Sequence, residues 1–315
     1  MNKALLDPAL REDSLCEGLV LSGFGGFYQV LTAAGEKTCK PRGRLQKDEG
    51  GIYPGDTVRL ELLSATGEGG VDGMIIQVLP RFNQLQRPKV ANIDQAVLVL
   101  AVDDPPTDWI LLDKMLVMAA YNQISPLICF NKCDILSPEE KESFLKLVSP
   151  YQEVGIPLVL VSAIKGEGID DLLSLLRGKI SVFAGPSGVG KSSLLNRLYP
   201  ELNLTTGKIS QRLGRGRHTT RHVHIIRMEE DTFVADTPGF SLLDLPEALM
   251  LSQLPTLYPD FADHGSCRFD GCIHYKEPGC VVKQSVAEGL IDEARYNRYL
   301  KIYDELKDRE VKYHD

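Results

Sequence analysis

Apolar and polar positions change their rhythm along this chain. From 14 to 80, short apolar runs (Glu17–Leu21, Phe27–Leu31, Thr57–Leu63, Met74–Leu79) alternate with glycine-rich turns such as Gly23-Phe24-Gly25-Gly26 and Gly67-Glu68-Gly69-Gly70. Runs of this length between turn residues predict strands. About five short strands in so small a span predict a small barrel, with an OB-fold as its form. Arg81–Lys89 is polar and contains Pro88, and reads as a linker.

Beyond the linker the pattern becomes α/β. Ala96–Val102 is a continuous apolar run, as expected of a strand buried on both faces. Strands are predicted at Leu127–Phe130, Leu158–Val161 and Ile180–Ala184, and helices at Trp109–Tyr121, Pro138–Val148, Ile169–Leu176 and Lys191–Leu198. His222–Met228 and Thr232–Ala235 read as a further hairpin. Such alternation predicts a doubly wound, mostly parallel sheet. After Phe240 the pattern is helical and irregular, and it ends in a charged amphipathic helix near Asp292–Lys307.

The chemistry is concentrated in a few motifs. Gly185-Pro186-Ser187-Gly188-Val189-Gly190-Lys191-Ser192, followed by Ser193, is a full phosphate loop between a strand and a helix. Its glycines let backbone amides turn inward around phosphate oxygens, at the N-terminus of a helix. Lys191 would reach the β and γ phosphates, and Ser192 would ligate Mg²⁺. Asn131-Lys132-Cys133-Asp134 follows a buried strand and has the form of a guanine reader. Asp134 could accept from the N1–H and 2-amino groups of guanine, which adenine does not offer in that arrangement. This disfavours an ATPase or kinase. Lys132 could lie along the purine, and Asn131 could tie the loop to the phosphate loop. Ser162-Ala163, after the next strand, could present a backbone donor to guanine O6.

Asp236-Thr237-Pro238-Gly239 has the form of a γ-phosphate sensor, with Asp236 behind the metal and Gly239 giving an amide. Phe240 stands where many GTPases carry a water-orienting glutamine, so the catalytic group comes from elsewhere or intrinsic hydrolysis is slow. In an ordinary GTPase the order is phosphate loop, sensor, base reader. Here the base reader comes first, so the parts are circularly permuted.

Thr205–Arg227 occupies the switch I position and carries Lys208, Arg212, Arg215, Arg217, Arg221 and Arg227 without an acid. His218, His222 and His224 add to it, and Thr219 and Thr220 offer Mg²⁺-sensing hydroxyls. A mobile solvated loop and a phosphate-facing loop, for GTP or RNA, both fit. Lys37, Lys40, Arg42, Arg44 and Lys47 likewise fit a solvated strand edge or a nucleic-acid-facing surface. Cys267, Cys272, His274 and Cys280 form a Cys₃His set, the pattern of a closed structural Zn²⁺ site. His264 is a competing ligand with poorer spacing.

Bulk properties limit the alternatives. The chain has 315 residues, 43% hydrophobic and 25% charged, and a net charge of −8. The acidic balance argues against whole-surface affinity for nucleic acid, but not against a local basic face. No apolar run is long enough to span a bilayer. Met1–Asp13 lacks a signal-peptide core. The expectation is a soluble cytoplasmic monomer without a membrane partner.

The chain resembles the ribosome small-subunit-dependent GTPases, the RsgA/YjeQ family. The resemblance rests on Arg81-Phe82-Asn83-Gln84-Leu85-Gln86-Arg87-Pro88, Asn92-Ile93-Asp94-Gln95, the phosphate loop, Arg217-His218-Thr219-Thr220, Asp236–Phe240 and the Cys₃His cluster. It implies an RNA-binding OB-fold over 1–80, a circularly permuted GTPase domain over 81–244 and a helical zinc-binding domain over 245–315. It implies binding of GTP and GDP, Mg²⁺ with the nucleotide, and GTP hydrolysis stimulated by the small ribosomal subunit during its late maturation, with contacts to its rRNA. By the resemblance, His218 supplies the missing catalytic group, and Thr220 is the switch I threonine that shares Mg²⁺ with Ser192. A GTP-gated RNA-binding module and a permuted GTPase acting on another RNA or protein are the competing readings.

Overall fold

A computed structural model describes residues 15–46, 51–67, 70–86, 89–200, 223–236, 245–262 and 264–314. The chain divides into two compact units. One comprises 1–95, 173–183 and 201–240; the other comprises 96–172, 184–200 and 241–315.

The first unit opens with a closed barrel of β1 (Leu15–Phe24), β2 (Phe27–Thr32), β3 (Gly35–Pro41), β4 (Thr57–Gly67) and β5 (Val71–Val78), ordered β1-β2-β3-β5-β4. Val20, Val30, Cys39, Val58, Leu60 and Ile75 fill it. Along β5 burial alternates residue by residue from Val71 to Ile76, as one-sided packing demands. The β1–β2 turn is Gly25-Gly26, with φ of 58° and 82°. A two-residue hairpin turn with both φ positive needs such residues. The basic segment of the sequence reading holds β3. That strand is no edge: it pairs with β2 on one side and runs parallel to β5 on the other.

Arg81–Lys89 is not a plain linker. Gln84–Gln86 (β6) and Lys89–Ala91 (β7) pair as an antiparallel hairpin. Polar side chains fasten it to the barrel. Arg81 grips the buried carboxylate of Asp56 with Nε (2.6 Å) and Nη2 (2.8 Å), and its guanidinium lies 4.2 Å from the Tyr53 ring centroid. Asn83 bonds both backbone groups of Ile93, and Asn92 donates to the Gly55 carbonyl. At Gly55, φ is 91° and a Cβ would sit 1.9 Å from the Ala91 oxygen, so any side chain would force the hairpin off the barrel.

The same unit holds β11 (Ile180–Ala184, as far as Phe183), β12 (His224–Glu229) and β13 (Thr232–Asp236). β13 runs parallel to β11 and antiparallel to β12. In the second unit, β8 (Gln95–Ala101, from Ala96), β9 (Ser125–Asn131) and β10 (Leu158–Leu160) are ordered β10-β9-β8, with β10 parallel to β9. Every residue of β8 and β11 is buried, which explains why their sequences are apolar apart from Gln95 and Ser181.

In the second unit, α1 (Trp109–Tyr121) is apolar almost all round, because it is covered twice. It packs on β9 and, through Val117 with Ile110 and Tyr121, on the C-terminal core. α2 (Pro138–Glu153) begins with a Ser137/Glu140 capping box and runs past Val148 through Pro150. Tyr151, fully buried and stacked on Trp109, anchors that last turn. α3 (Ile169–Leu176) and α4 (Lys191–Leu198) keep their expected bounds. After residue 245 come two 3₁₀ turns, α5 (Val281–Ala287) and α6 (Glu293–His314), around Leu254, Tyr258, Tyr299, Ile302 and Leu306.

A buried polar knot joins α1, α2 and α6. Asp113 accepts from Arg295 Nη1 (3.0 Å), from Arg298 Nε and from the Tyr151 hydroxyl (3.0 Å). The other edge of Arg295 forms a two-point pair with Asp260. Two buried carboxylates thus face two guanidiniums. Among the described residues no helix is long and apolar enough to cross a membrane.

Candidate functional site

The phosphate loop leaves a buried strand and enters α4. Its approach is tight: a Cβ on Gly185 would lie 2.0 Å from the Val99 oxygen of β8. Gly190, the N-cap of α4, has φ of 90°, and a Cβ there would lie 2.4 Å from Asn131 Nδ2. Glycine alone fits both positions. Val189 is buried and anchors the loop, while Ser187 and Gly188 are exposed and Pro186, Ser192 and Ser193 are partly exposed. Lys191 folds back and donates to the Gly185 and Pro186 carbonyls, both at 2.7 Å. Burial lowers the pKa of its ammonium.

Asn131 is the clasp of the site. Its Nδ2 donates to the Val189 carbonyl (2.9 Å), and its Oδ1 accepts from the Ala163 amide (3.1 Å). One buried side chain therefore joins the phosphate loop, the end of β9 and the Ser162-Ala163 turn. Lys132 has φ of 65° and reaches the Asp104 carbonyl in the loop after β8. Asp134 lies on a short 3₁₀ turn, Cys133–Ile135, partly exposed. Its carboxylate accepts no hydrogen bond from the described residues. Ser162 is buried, and its Oγ accepts from the Lys165 amide (2.9 Å). Asn131, Lys132, Asp134, Ser162, Ala163 and Gly185–Ser193 all fall within the second unit.

Asp236 closes β13, opposite His224 in the antiparallel register. Gly239 and Phe240 lie outside the described residues, as do Thr205–Arg221 with His218, Thr219 and Thr220, and His222.

The C-terminal cluster is compact. One ligand atom each from Cys267, Cys272, His274 and Cys280 lies within 4.8 Å of the others. His274 Nδ1 is 3.6 Å from the Cys267 sulfur and 3.4 Å from that of Cys280. His264 is not in this group. Burial pushes the His274 pKa down, towards the neutral form that ligates metal. Burial raises the Cys267 thiol, but hydrogen bonds with the Val281 and Val282 amides at the start of α5 and with Cys272 and Cys280 together bring its pKa below the usual value. Four convergent soft donors suit a tetrahedral ion with no open position. The loop has its own supports. Glu277 accepts from the Ile273 (3.1 Å) and Tyr275 (2.8 Å) amides, Tyr296 donates to the His274 carbonyl (2.7 Å), and the Phe261 ring lies edge-on to His274.

Sequence patterns did not point to Asp104, Glu277 or Tyr296. Each acts on a backbone group or through a loop, and no periodicity marks such contacts.

The sequence profile of the RsgA GTPase family matches residues 78–246, and that of the RsgA N-terminal domain matches 17–71. A protein of Caldanaerobacter subterraneus subsp. tengcongensis named small ribosomal subunit biogenesis GTPase RsgA is 43% identical, over 93% of this chain and 97% of its own. One of the same name from Geobacillus kaustophilus is 40% identical, over 95% and 100%. The crystal structure of YjeQ from Thermotoga maritima superposes with a TM-score of 0.80 at 35% identity, covering 93% of this chain and 98% of that one. YloQ, described as a circularly permuted GTPase, gives 0.79 at 32% identity, covering 96% and 99%. These matches run over nearly the whole length, and this chain is a GTPase belonging to the RsgA family.

Proposed function

We propose that the protein binds the small ribosomal subunit, acts in its late maturation, and hydrolyses GTP to GDP and phosphate faster when the subunit is bound. The observation that carries this reading is the near full-length match to relatives named for small ribosomal subunit biogenesis. In this reading the protein works in the cytoplasm as a monomer. Residues 1–80 form an RNA-binding domain, 81–244 the permuted GTPase domain and 245–315 the zinc domain.

The nucleotide roles in this reading rest on the motifs, supported by the Asn131 clasp and the fold-back of Lys191. Asp134 takes the guanine edge, Lys132 lies along the base, and the Ser162-Ala163 turn faces its O6. The amides of Gly185–Ser193 cradle the phosphates, and Lys191 exchanges its two carbonyl partners for β and γ oxygens. Ser192 and Thr220 would hold Mg²⁺, which when bound neutralises charge on the β and γ phosphates. Asp236 supports that metal site, and the Gly239 amide meets the γ-phosphate. Because Phe240 cannot orient water, His218 is assigned that task. One Zn²⁺ would be held by Cys267, Cys272, His274 and Cys280 as a structural ion.

Phe240 also gives weight to a GTP-gated RNA-binding module in which hydrolysis is incidental. Turnover with and without purified small and large subunits separates the two. Stimulation by the small subunit alone is expected; a rate that neither subunit changes would favour the binding module.

A further inference from the structure

The base-reading turn has a charged neighbourhood that the nucleotide roles leave unused. Lys141, one turn into α2, donates to Glu167 Oε2 at 2.7 Å. The same oxygen faces the Cys133 thiol at 3.7 Å. Glu167 lies between Gly166 and Gly168 in the loop after β10, and its carbonyl accepts the Ser162 amide at 2.9 Å. Gly168 has φ of 67°, and a Cβ there would meet the Leu160 oxygen at 2.1 Å, so the backbone fixes where Glu167 leaves the chain. Cys133 is buried, and burial raises its thiol to about 11, so it stays protonated as a donor.

Asp134 directly follows Cys133, so a second carboxylate leaves the turn whose thiol faces the Glu167 oxygen that holds the ammonium. Lys141 is paired with Glu167, while Asp134 accepts no hydrogen bond from the described residues. The Lys141–Glu167 hydrogen bond is the main cause that raises the Lys141 pKa and lowers that of Glu167; the Asp134 charge adds weakly to the first shift and weakly opposes the second. An ammonium bonded to Asp134 would occupy lone pairs that guanine N1–H and the 2-amino group need.

We propose that Glu167 is a specificity-determining positioning residue: by holding Lys141, it keeps the Asp134 carboxylate free for guanine. This rests on the reading of Asp134 as the base reader. The full-length protein tests it by GTP and GDP affinity. Glu167→Ala should weaken both about threefold to fivefold, the range an exposed ion pair can set. Glu167→Gln should weaken them as much, because it keeps an oxygen for the thiol but no charge for the lysine. Adding Lys141→Met to Glu167→Ala should restore affinity to near wild type, a rescue that lost packing would not produce. Wild-type affinity in Glu167→Gln, or no rescue in the double variant, overturns the inference. Asp134→Asn is measured alongside. If it leaves GTP affinity unchanged, the base-site reading falls and this inference with it. If it weakens binding while Glu167→Ala does not, only the inference falls.

Discussion

Asp134 presents a carboxylate with open lone pairs on a short turn, and in the proposed base site that group selects the purine. Asp134→Asn should weaken GTP binding about tenfold or more, since a hydrogen bond to a charged group is worth about 1.5–3 kcal/mol. The amide can donate to a 2-oxo group, so xanthosine triphosphate should bind better than it does to the wild type. Competition binding with the two nucleotides reads both effects, and unchanged GTP affinity would remove Asp134 from the base site. At this scale the motifs were legible, because their chemistry is local: Gly185 and Gly190 stand where a Cβ would strike Val99 and Asn131. Glu167 was not legible. Its partners Lys141 and Cys133 lie 26 and 34 residues away, and no spacing rule connects them.

Among the elements, some bounds followed the sequence pattern and others did not. β11, α1, α3 and α4 keep the limits that apolar runs and glycines suggest. The β6–β7 hairpin escaped because it is short and polar and is held by Arg81, Asn83 and Asn92 rather than by an apolar face. α2 outran its expected end because Tyr151 anchors the turn after Pro150. Asp113 is the clearest case: an acid in a nearly all-apolar helix, whose partner Arg295 is 182 residues further along. Asp113→Ala should strip the buried Arg295 and the partly buried Arg298 of a shared carboxylate and cost about 3–5 kcal/mol, read as a lowered urea midpoint. Combined with Arg295→Met it should cost less than the sum of the two single changes. Strict additivity would show that the knot is not one unit.

The C-terminal cluster makes an element-scale claim about metal. About one Zn²⁺ per chain should co-purify, the content of a single four-ligand site. Cys272→Ser should lose it, with protease sensitivity appearing after residue 245 while GTP binding is kept. Freshly purified protein without zinc would refute the assignment, and loss of GTP binding in Cys272→Ser would show that the ion supports more than its own loop.

For the whole molecule, the question is where the water-activating group comes from. Phe240 offers no polar atom, and the basic switch I segment carries His218 among glycines at 207, 214 and 216. A segment so rich in cations and poor in acids repels itself and gains most from a polyanion. The small subunit supplies one in its rRNA. In the proposed cycle, subunit binding brings the imidazole to the attacking water, where a group titrating near neutral pH can act. His218→Ala should keep GTP and subunit affinity yet lose about 10²–10⁴-fold of the stimulated rate, the usual weight of acid–base assistance. The alternative is that His218 touches rRNA phosphate. Then the variant would bind subunits more weakly but turn over normally once they saturate it. Turnover measured across a subunit titration separates the outcomes: a depressed plateau assigns His218 to the chemistry, and a shifted midpoint with an intact plateau assigns it to binding.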